Sequence, residues 1–246
     1  MEKEKRAKKM RENFEEEKIN ELQFHKRQME EVRAVYEALK EKEKSGSGPP
    51  IALLEDTEYV ANLKKAGKKV PPHMMSKAKT FNLYCADYVE NCYHDDTGSY
   101  WRYVEFYEDR SGIDIMKGAK NPKGCTWKGK ANGHVYVNCD DQFDFSTLLA
   151  PDRASTRVYW SDLYKDKHQV GIQFIGQDYV RMTVSRDAIE ATERDPLPAS
   201  CPAVFEFMGI NRNKPSLKAQ EEEQKQRRIA RHSSRRSTLD SYRGYY

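Results

Sequence analysis

Apolar side chains are sparse in the first 44 residues, but they are ordered. Leu22, His25, Met29, Val32, Tyr36 and Leu39 recur at spacings of 3, 4, 3, 4 and 3, the repeat that lines up six side chains on one stripe of a helix. Charged residues fill the other faces, and Glu30, Glu31, Glu37, Lys40 and Lys44 offer helical pairs three or four residues apart. Upstream the stripe blurs: Met10 and Phe14 are four apart, but the positions in register before Leu22 are Lys18 and Glu15. The pattern predicts a charged helix over residues 1–44 with two uses for its stripe. One is a short coiled coil or partner-docking surface, which includes self-association, and the other is contact with the chain's own domain.

Ser45-Gly46-Ser47-Gly48-Pro49-Pro50 then mixes flexible residues with a di-proline stop, which predicts a linker over 45–50. A globular part is expected over 51–210. Phe81, Tyr84, Cys85, Tyr88, Val89 and Cys92 follow the spacing of a one-sided buried helix. A second helix is expected over about Ser99–Arg110, where Tyr100, Tyr103, Val104 and Tyr107 share a helical face, although the aromatic density also suits a strand. Beyond Gly112 the texture turns to Gly, Asn, Lys and Pro, and then to short β-rich runs at His134–Cys139, Arg157–Trp160, His168–Ile175, Tyr179–Ser185 and Ala203–Gly209. Gly176-Gln177-Asp178 has the residues of a three-residue hairpin turn. Helices first and an antiparallel sheet after them predict an α+β domain. From 211 to 246 aliphatics nearly vanish; a marginal helix is expected over Lys218–His232 and a disordered basic tail beyond it.

Charge sharpens this division. Residues 1–44 hold 13 Lys/Arg against 12 Asp/Glu, residues 45–210 hold 20 against 23, and residues 211–246 hold 10 against 4. The basic character sits in the tail, and a slightly acidic domain disfavours a nucleic-acid-binding core. The five cysteines are odd in number and contain no CxxC pair. The N-terminus has no apolar leader, and no apolar run approaches the ~20 residues that span a bilayer. Reduced thiols in the cytoplasm and no membrane partner are therefore expected.

Three segments carry a family resemblance. Gly133-His134-Val135-Tyr136-Val137-Asn138-Cys139, followed by Phe143, is similar to a Gly-aromatic strand ending in Cys. Tyr159-Trp160-Ser161-Asp162-Leu163-Tyr164 looks like a Tyr-aromatic-small-Asp-aromatic-Tyr segment, and His168-Gln169-Val170 opens an apolar strand as a His-Tyr-Val does. Together they resemble the C-terminal domain of the phytanoyl-CoA hydroxylase-interacting proteins over about residues 81–209, with Tyr100-Trp101-Arg102-Tyr103-Val104 fitting that family's Tyr-Phe-x-Tyr-Val helix. The resemblance implies a cytoplasmic interaction module with no known catalysis. Because aromatics carry most of the energy at protein interfaces, Tyr159, Trp160, Asp162, Tyr164 and His168 are the expected partner-binding residues, and the partner is a protein.

Other chemistry is weaker. His134 and Cys139 are five apart on one strand and face opposite ways, so a cysteine nucleophile needs Cys139 with His168, and Asp162 to orient the imidazole. Cys92-Tyr93-His94-Asp95-Asp96 fits no zinc spacing. It and Asp140-Asp141 read as polar turns, and neither a metal nor a cofactor is expected. Lys117, Lys120, Lys123, Lys128 and Lys130 alternate with glycines around Trp127, an arrangement that suits an anion or RNA, although no phosphate-loop order is present. In the tail, Ser234 and Thr238 each follow an arginine by three residues, the pattern of a phosphorylation switch acting on an acidic partner. The expectation is a non-enzymatic adaptor, with RNA or anion binding and a cysteine-dependent enzyme as alternatives.

Overall fold

The computed structural model describes residues 2–45, 64–67, 78–92, 102–108, 130–137, 142–149, 151, 153–163, 168–193, 196–220, 222–223 and 226. Helix α1 (Glu2–Lys44) comes first, then strand β1 (Lys79–Tyr84), helix α2 (Ala86–Cys92) and strands β2 (Tyr103–Glu108), β3 (Lys130–Tyr136), β4 (Gln142–Leu149), β5 (Tyr159–Leu163), β6 (His168–Gly176) and β7 (Tyr179–Ser185). A short helix α3 (Arg186–Glu190), capped by the Ser185 hydroxyl accepting from the Ala188 N–H, leads into β8 (Val204–Asn211). Residues 215–220 form helix α4, whose helical course continues at 222, 223 and 226.

The eight strands pair in chain order, each antiparallel to the next, and β1 pairs with β8 to close a barrel. The expected antiparallel sheet is thus a closed barrel, within a fold of mixed helix and strand. Two local expectations change with it. Phe81–Tyr84 lies in a strand, and only Ala86–Cys92 is helical. Tyr103–Glu108 is a strand too, where the family resemblance implied a helix.

Alternation along each strand explains closure. On β7, Val180, Met182 and Val184 are buried while Tyr179, Arg181, Thr183 and Ser185 are half-buried, the period of two that sends alternate side chains inward. Inward residues from every strand meet in the lumen. Phe106 of β2 touches Phe81 and Phe145 and reaches Phe174 of β6 across the barrel, with ring centroids 5.9, 5.5 and 5.3 Å away. Eight strands make a barrel just wide enough for side chains to fill, and here aromatic rings fill it.

Two inward glycines make room for neighbours. A Cβ at Gly133 would lie 1.9 Å from the Glu105 carbonyl oxygen and 2.4 Å from Phe145 Cζ, and one at Gly209 would lie 2.3 Å from Val180 Cγ2. At the β6–β7 turn the register shifts between Phe174 and Gly176, and Gly176 pairs with Tyr179. The turn is thus two residues, Gln177 and Asp178, rather than three.

Helix α1 lies on the outside of this barrel. Met29 and Val32 pack with Tyr84 of β1, Ile175 of β6, Met208 and Ile210 of β8 and Leu217 of α4, flanked by Phe24, Tyr36, Leu39 and Tyr179. The stripe read from the sequence therefore covers the chain's own domain. This is why β6 and β8 read as nearly continuous apolar runs: their outward Ile175, Met208 and Ile210 are buried under the helix.

Polar clamps fix the helix in place. Tyr179 donates to Glu31 Oε1 at 2.8 Å, beside an ion pair between Glu31 and Lys214. Partial burial would raise the Glu31 pKa, but the hydrogen bonds from Lys214 and Tyr179 outweigh it and hold the carboxyl below its ordinary value. Near the helix C-terminus Glu43 accepts from the Thr156 N–H at 2.9 Å.

Candidate interaction face

The barrel presents two kinds of outer surface. One lies under α1. The other, on β1 to β4, carries an ordered set of half-buried and exposed aromatic and ionisable side chains.

Register builds that set. Tyr103 sits opposite Tyr136 and Glu105 opposite His134 in the β2–β3 pair. His134 sits opposite Asp144 on β4, while Asn82 and Thr80 of β1 flank Tyr103 and Glu105. The same alternation that sends Val104, Phe106 and Val135 into the lumen turns these residues out.

Tyr103 and Tyr136 are stacked, with centroids 4.4 Å apart and ring planes 25° from parallel. The Arg212 guanidinium lies 4.6 Å from the Tyr103 ring centroid, steered by an Nε hydrogen bond to Asn82 Oδ1 at 2.8 Å. His134 meets Tyr136 edge-on and has Tyr107 on its other side, at centroid distances of 5.3 and 5.4 Å. Its Nε2 is 3.0 Å from Glu105 Oε2, and its Nδ1 is 3.6 Å from Asp144 Oδ1. The Asp144 side chain is 74% exposed.

Partial burial raises the pKa of Tyr103, helped by Tyr136, and that of Tyr107, helped by Asp144 and Glu105. Both phenols therefore stay protonated near neutral pH and serve as hydrogen-bond donors. The face offers flat aromatic area, donor hydroxyls and two carboxylates, a combination suited to basic, arginine-bearing partners through stacking and charge-assisted hydrogen bonds.

The residues expected to bind a partner divide between the two sides of the sheet. Trp160 and Asp162 point outward from β5; Trp160 is 61% exposed and packs over Gly171, and Asp162 accepts from Gln169 Nε2 at 3.0 Å. Tyr159 turns inward against Phe174, with centroids 6.0 Å apart. His168 pairs with Leu163, in phase with the inward Val170, so it does not share a face with Asp162. The expected Asp162–His168 orientation is corrected accordingly. Tyr164, Cys139, Lys117, Lys120, Lys123, Trp127, Lys128, Ser234 and Thr238 lie outside the described residues, and Lys130 is placed only as the first residue of β3.

A buried polar junction joins α1 to the start of α2. His25 Nδ1 accepts from the Cys85 N–H at 2.9 Å, and its Nε2 lies 3.1 Å from Glu21 Oε1, with both side chains 1% exposed. Met29 Sδ accepts the next backbone N–H, that of Ala86, at 3.2 Å. Arg102, 4% exposed, stands 4.9 Å from the Tyr88 ring centroid. Burial pushes the His25 pKa below its ordinary value and Arg102 adds to the shift, while Glu21 opposes it.

Cys85, Cys92 and Cys201 are buried free thiols, and burial raises the Cys85 thiol to about 12. Among the described residues no His, Cys, Asp and Glu group is arranged to hold a metal ion, and no helix is long and apolar enough to cross a membrane.

The sequence held a signal for the β1–β4 face that helical spacing obscured. Tyr103-x-Glu105-x-Tyr107 and Asn132-x-His134-x-Tyr136 alternate with Val104, Phe106, Val135 and Val137 at period two. Comparison of the chain with known protein families, characterised proteins and solved structures finds no match.

Proposed function

We propose that this chain is a non-enzymatic, cytoplasmic interaction protein that recognises a basic segment of a protein partner on the outer face of β1–β4. The observation that carries the reading is the half-buried Tyr103–Tyr136 stack, which already has the Arg212 guanidinium over the Tyr103 ring and has Glu105 and Asp144 nearby. The resemblance to the phytanoyl-CoA hydroxylase-interacting proteins supports the same class of function, and the described residues that carry it fall mainly in β2 to β6. The buried free thiols support a reducing compartment.

The test is capture of partners from nuclease-treated cytosol by the full chain, with affinities then measured against the Tyr103→Ala/Tyr136→Ala double variant. Aromatic anchors at interfaces are worth about 2 kcal/mol or more each, so binding should weaken by about 30-fold for each ring that contributes and by about 1,000-fold if the two add. Equal binding by the variant would defeat the proposal.

A second reading, single-stranded RNA, is favoured by one observation. The strands that hold Tyr103, Tyr107 and Tyr136 are joined through residues 109–129, which include Lys117, Lys120, Lys123, Trp127 and Lys128. Steep salt dependence and loss of the captured material on nuclease treatment would select it.

A further inference from the structure

Helix α4 shows how the C-terminus meets α1. Lys214 pairs with Glu31, Leu217 is buried in the cluster of Met29 and Val32, and Gln220 Oε1 accepts from Gln28 Nε2 at 2.7 Å. As the chain advances from 214 to 220 its partners retreat from 31 to 28, so α4 runs antiparallel to α1. Residues 222, 223 and 226 are helical as well, and Gln226 Nε2 donates to Glu222 Oε1 at 2.7 Å.

The contact on α1 belongs to a second stripe. Glu31, Gln28, Phe24, Glu21, Glu17 and Phe14 recede at spacings of 3, 4, 3, 4 and 3, and each is buried or half-buried, whereas Glu15, Glu16, Gln23, Lys26, Arg27 and Glu30 are exposed. In the sequence, Leu217, Gln220, Gln224, Arg227 and Arg231 follow one another at helical spacings of 3, 4, 3 and 4. If the Gln28–Gln220 register is carried forward residue for residue, Gln224 falls opposite Phe24, Arg227 opposite Glu21 and Arg231 opposite Glu17. Glu16 adds a second carboxylate next to Glu17 in the sequence, as Arg228 adds a second guanidinium next to Arg227. In that register charges of opposite sign would meet at successive turns, as they do across antiparallel helix pairs.

We infer that the basic segment Lys225–Arg236 docks along the acidic stretch Phe14–Glu21 of α1, with Arg227 and Arg231 reading Glu21 and Glu17. The acidic partner expected for the basic tail is then a part of the same chain. The inference does not depend on the β1–β4 face, which lies on other strands.

Amide hydrogen exchange of the full chain, followed by mass spectrometry, tests it through peptides covering 226–237. The wild type should protect these amides. The Glu16→Lys/Glu17→Lys variant and the Arg227→Glu/Arg228→Glu/Arg231→Glu variant should each lose about tenfold or more in protection, and the combination of all five should regain it. Peptides from β6 to β8 should exchange alike in every variant, which shows that the barrel is folded. Unprotected amides in the wild type, protection indifferent to the α1 reversal, or no recovery in the combined variant would each overturn the docking.

Discussion

Replacing His25 by glutamine should remove a pH dependence from the stability of the fold. His25 is held neutral because burial disfavours the imidazolium and the nearby Arg102 repels it; its Nδ1 must keep a lone pair to accept the Cys85 N–H. Its folded pKa lies below the ordinary 6.5. As pH falls past that value the unfolded chain takes up a proton that the native chain refuses, so stability is complete above the unfolded pKa and declines below it. The decline is at most about 1.4 kcal/mol per pH unit. Between pH 7.5 and 5.5 this single group therefore removes up to about 1.4 kcal/mol.

The groups facing His25 keep the comparison clean. Cys85, raised to about 12, stays a thiol throughout this range, and Glu21 and Arg102 are present in both proteins. Glutamine offers the Cys85 N–H an acceptor that does not titrate. Urea unfolding at pH 7.5, 6.5 and 5.5, followed by tryptophan fluorescence, should show the wild type losing more stability than His25→Gln over the interval. His25→Ala should in addition lose about 1–3 kcal/mol at every pH, because it orphans a buried N–H. Parallel pH profiles for wild type and His25→Gln would refute the neutral, buried imidazole.

Two further outcomes rest on packing. Gly133→Ala places a Cβ 1.9 Å from the Glu105 carbonyl oxygen and 2.4 Å from Phe145 Cζ, so β2 or the lumen must shift. Overpacking of this kind costs about 1–3 kcal/mol or more, and a thermal melt indistinguishable from wild type would contradict the close approach. Cys85 should resist iodoacetamide at pH 8 in the native chain and react once urea has unfolded it, since a thiol raised to about 12 leaves almost no thiolate. Peptide mapping of the alkylated product checks this, and full native labelling would show that the thiol is accessible.

The sequence was legible wherever a strand has one lumen face and a regular partner. Tyr179–Ser185 was read with its actual bounds, and His168–Ile175 and Ala203–Gly209 fell within two residues of β6 and β8. Misreading concentrated where two burial surfaces overlap. Phe81 and Leu83 face the lumen, Tyr84 faces α1, and Tyr88, Val89 and Cys92 belong to a separate helix, so strand and helix together imitate a helical repeat. In β2 the outward Tyr103 and Tyr107 are aromatic, which masked the alternation with Val104 and Phe106. β4 carries the same alternation, Phe143 and Phe145 about Asp144, but it follows directly on Asp140-Asp141, an acidic pair with the pattern of a turn. Closure itself joins Phe81 to Asn211, a pairing that no local pattern encodes.

The division of the barrel's outer surface has a functional consequence. Under α1, the outward residues Ile175, Met208 and Ile210 are fixed by packing, and a polar change there would expose or strand apolar surface. Inside, the lumen is occupied by its own phenylalanines, so recognition there would require rebuilding the core. The outward positions of β1–β4 answer to neither demand. A stacked tyrosine pair, an arginine lying over it and a histidine between two carboxylates face neither the lumen nor α1. If they serve recognition, their removal should separate binding from folding: Tyr103→Ala/Tyr136→Ala should lose the partner while its cooperative unfolding stays close to wild type. Substitutions beneath α1, such as Met208→Asp, should damage both together. Were the tyrosine pair instead to fail in the melt as severely as Met208→Asp, its role would be architectural and the β1–β4 face would lose its claim as the binding surface.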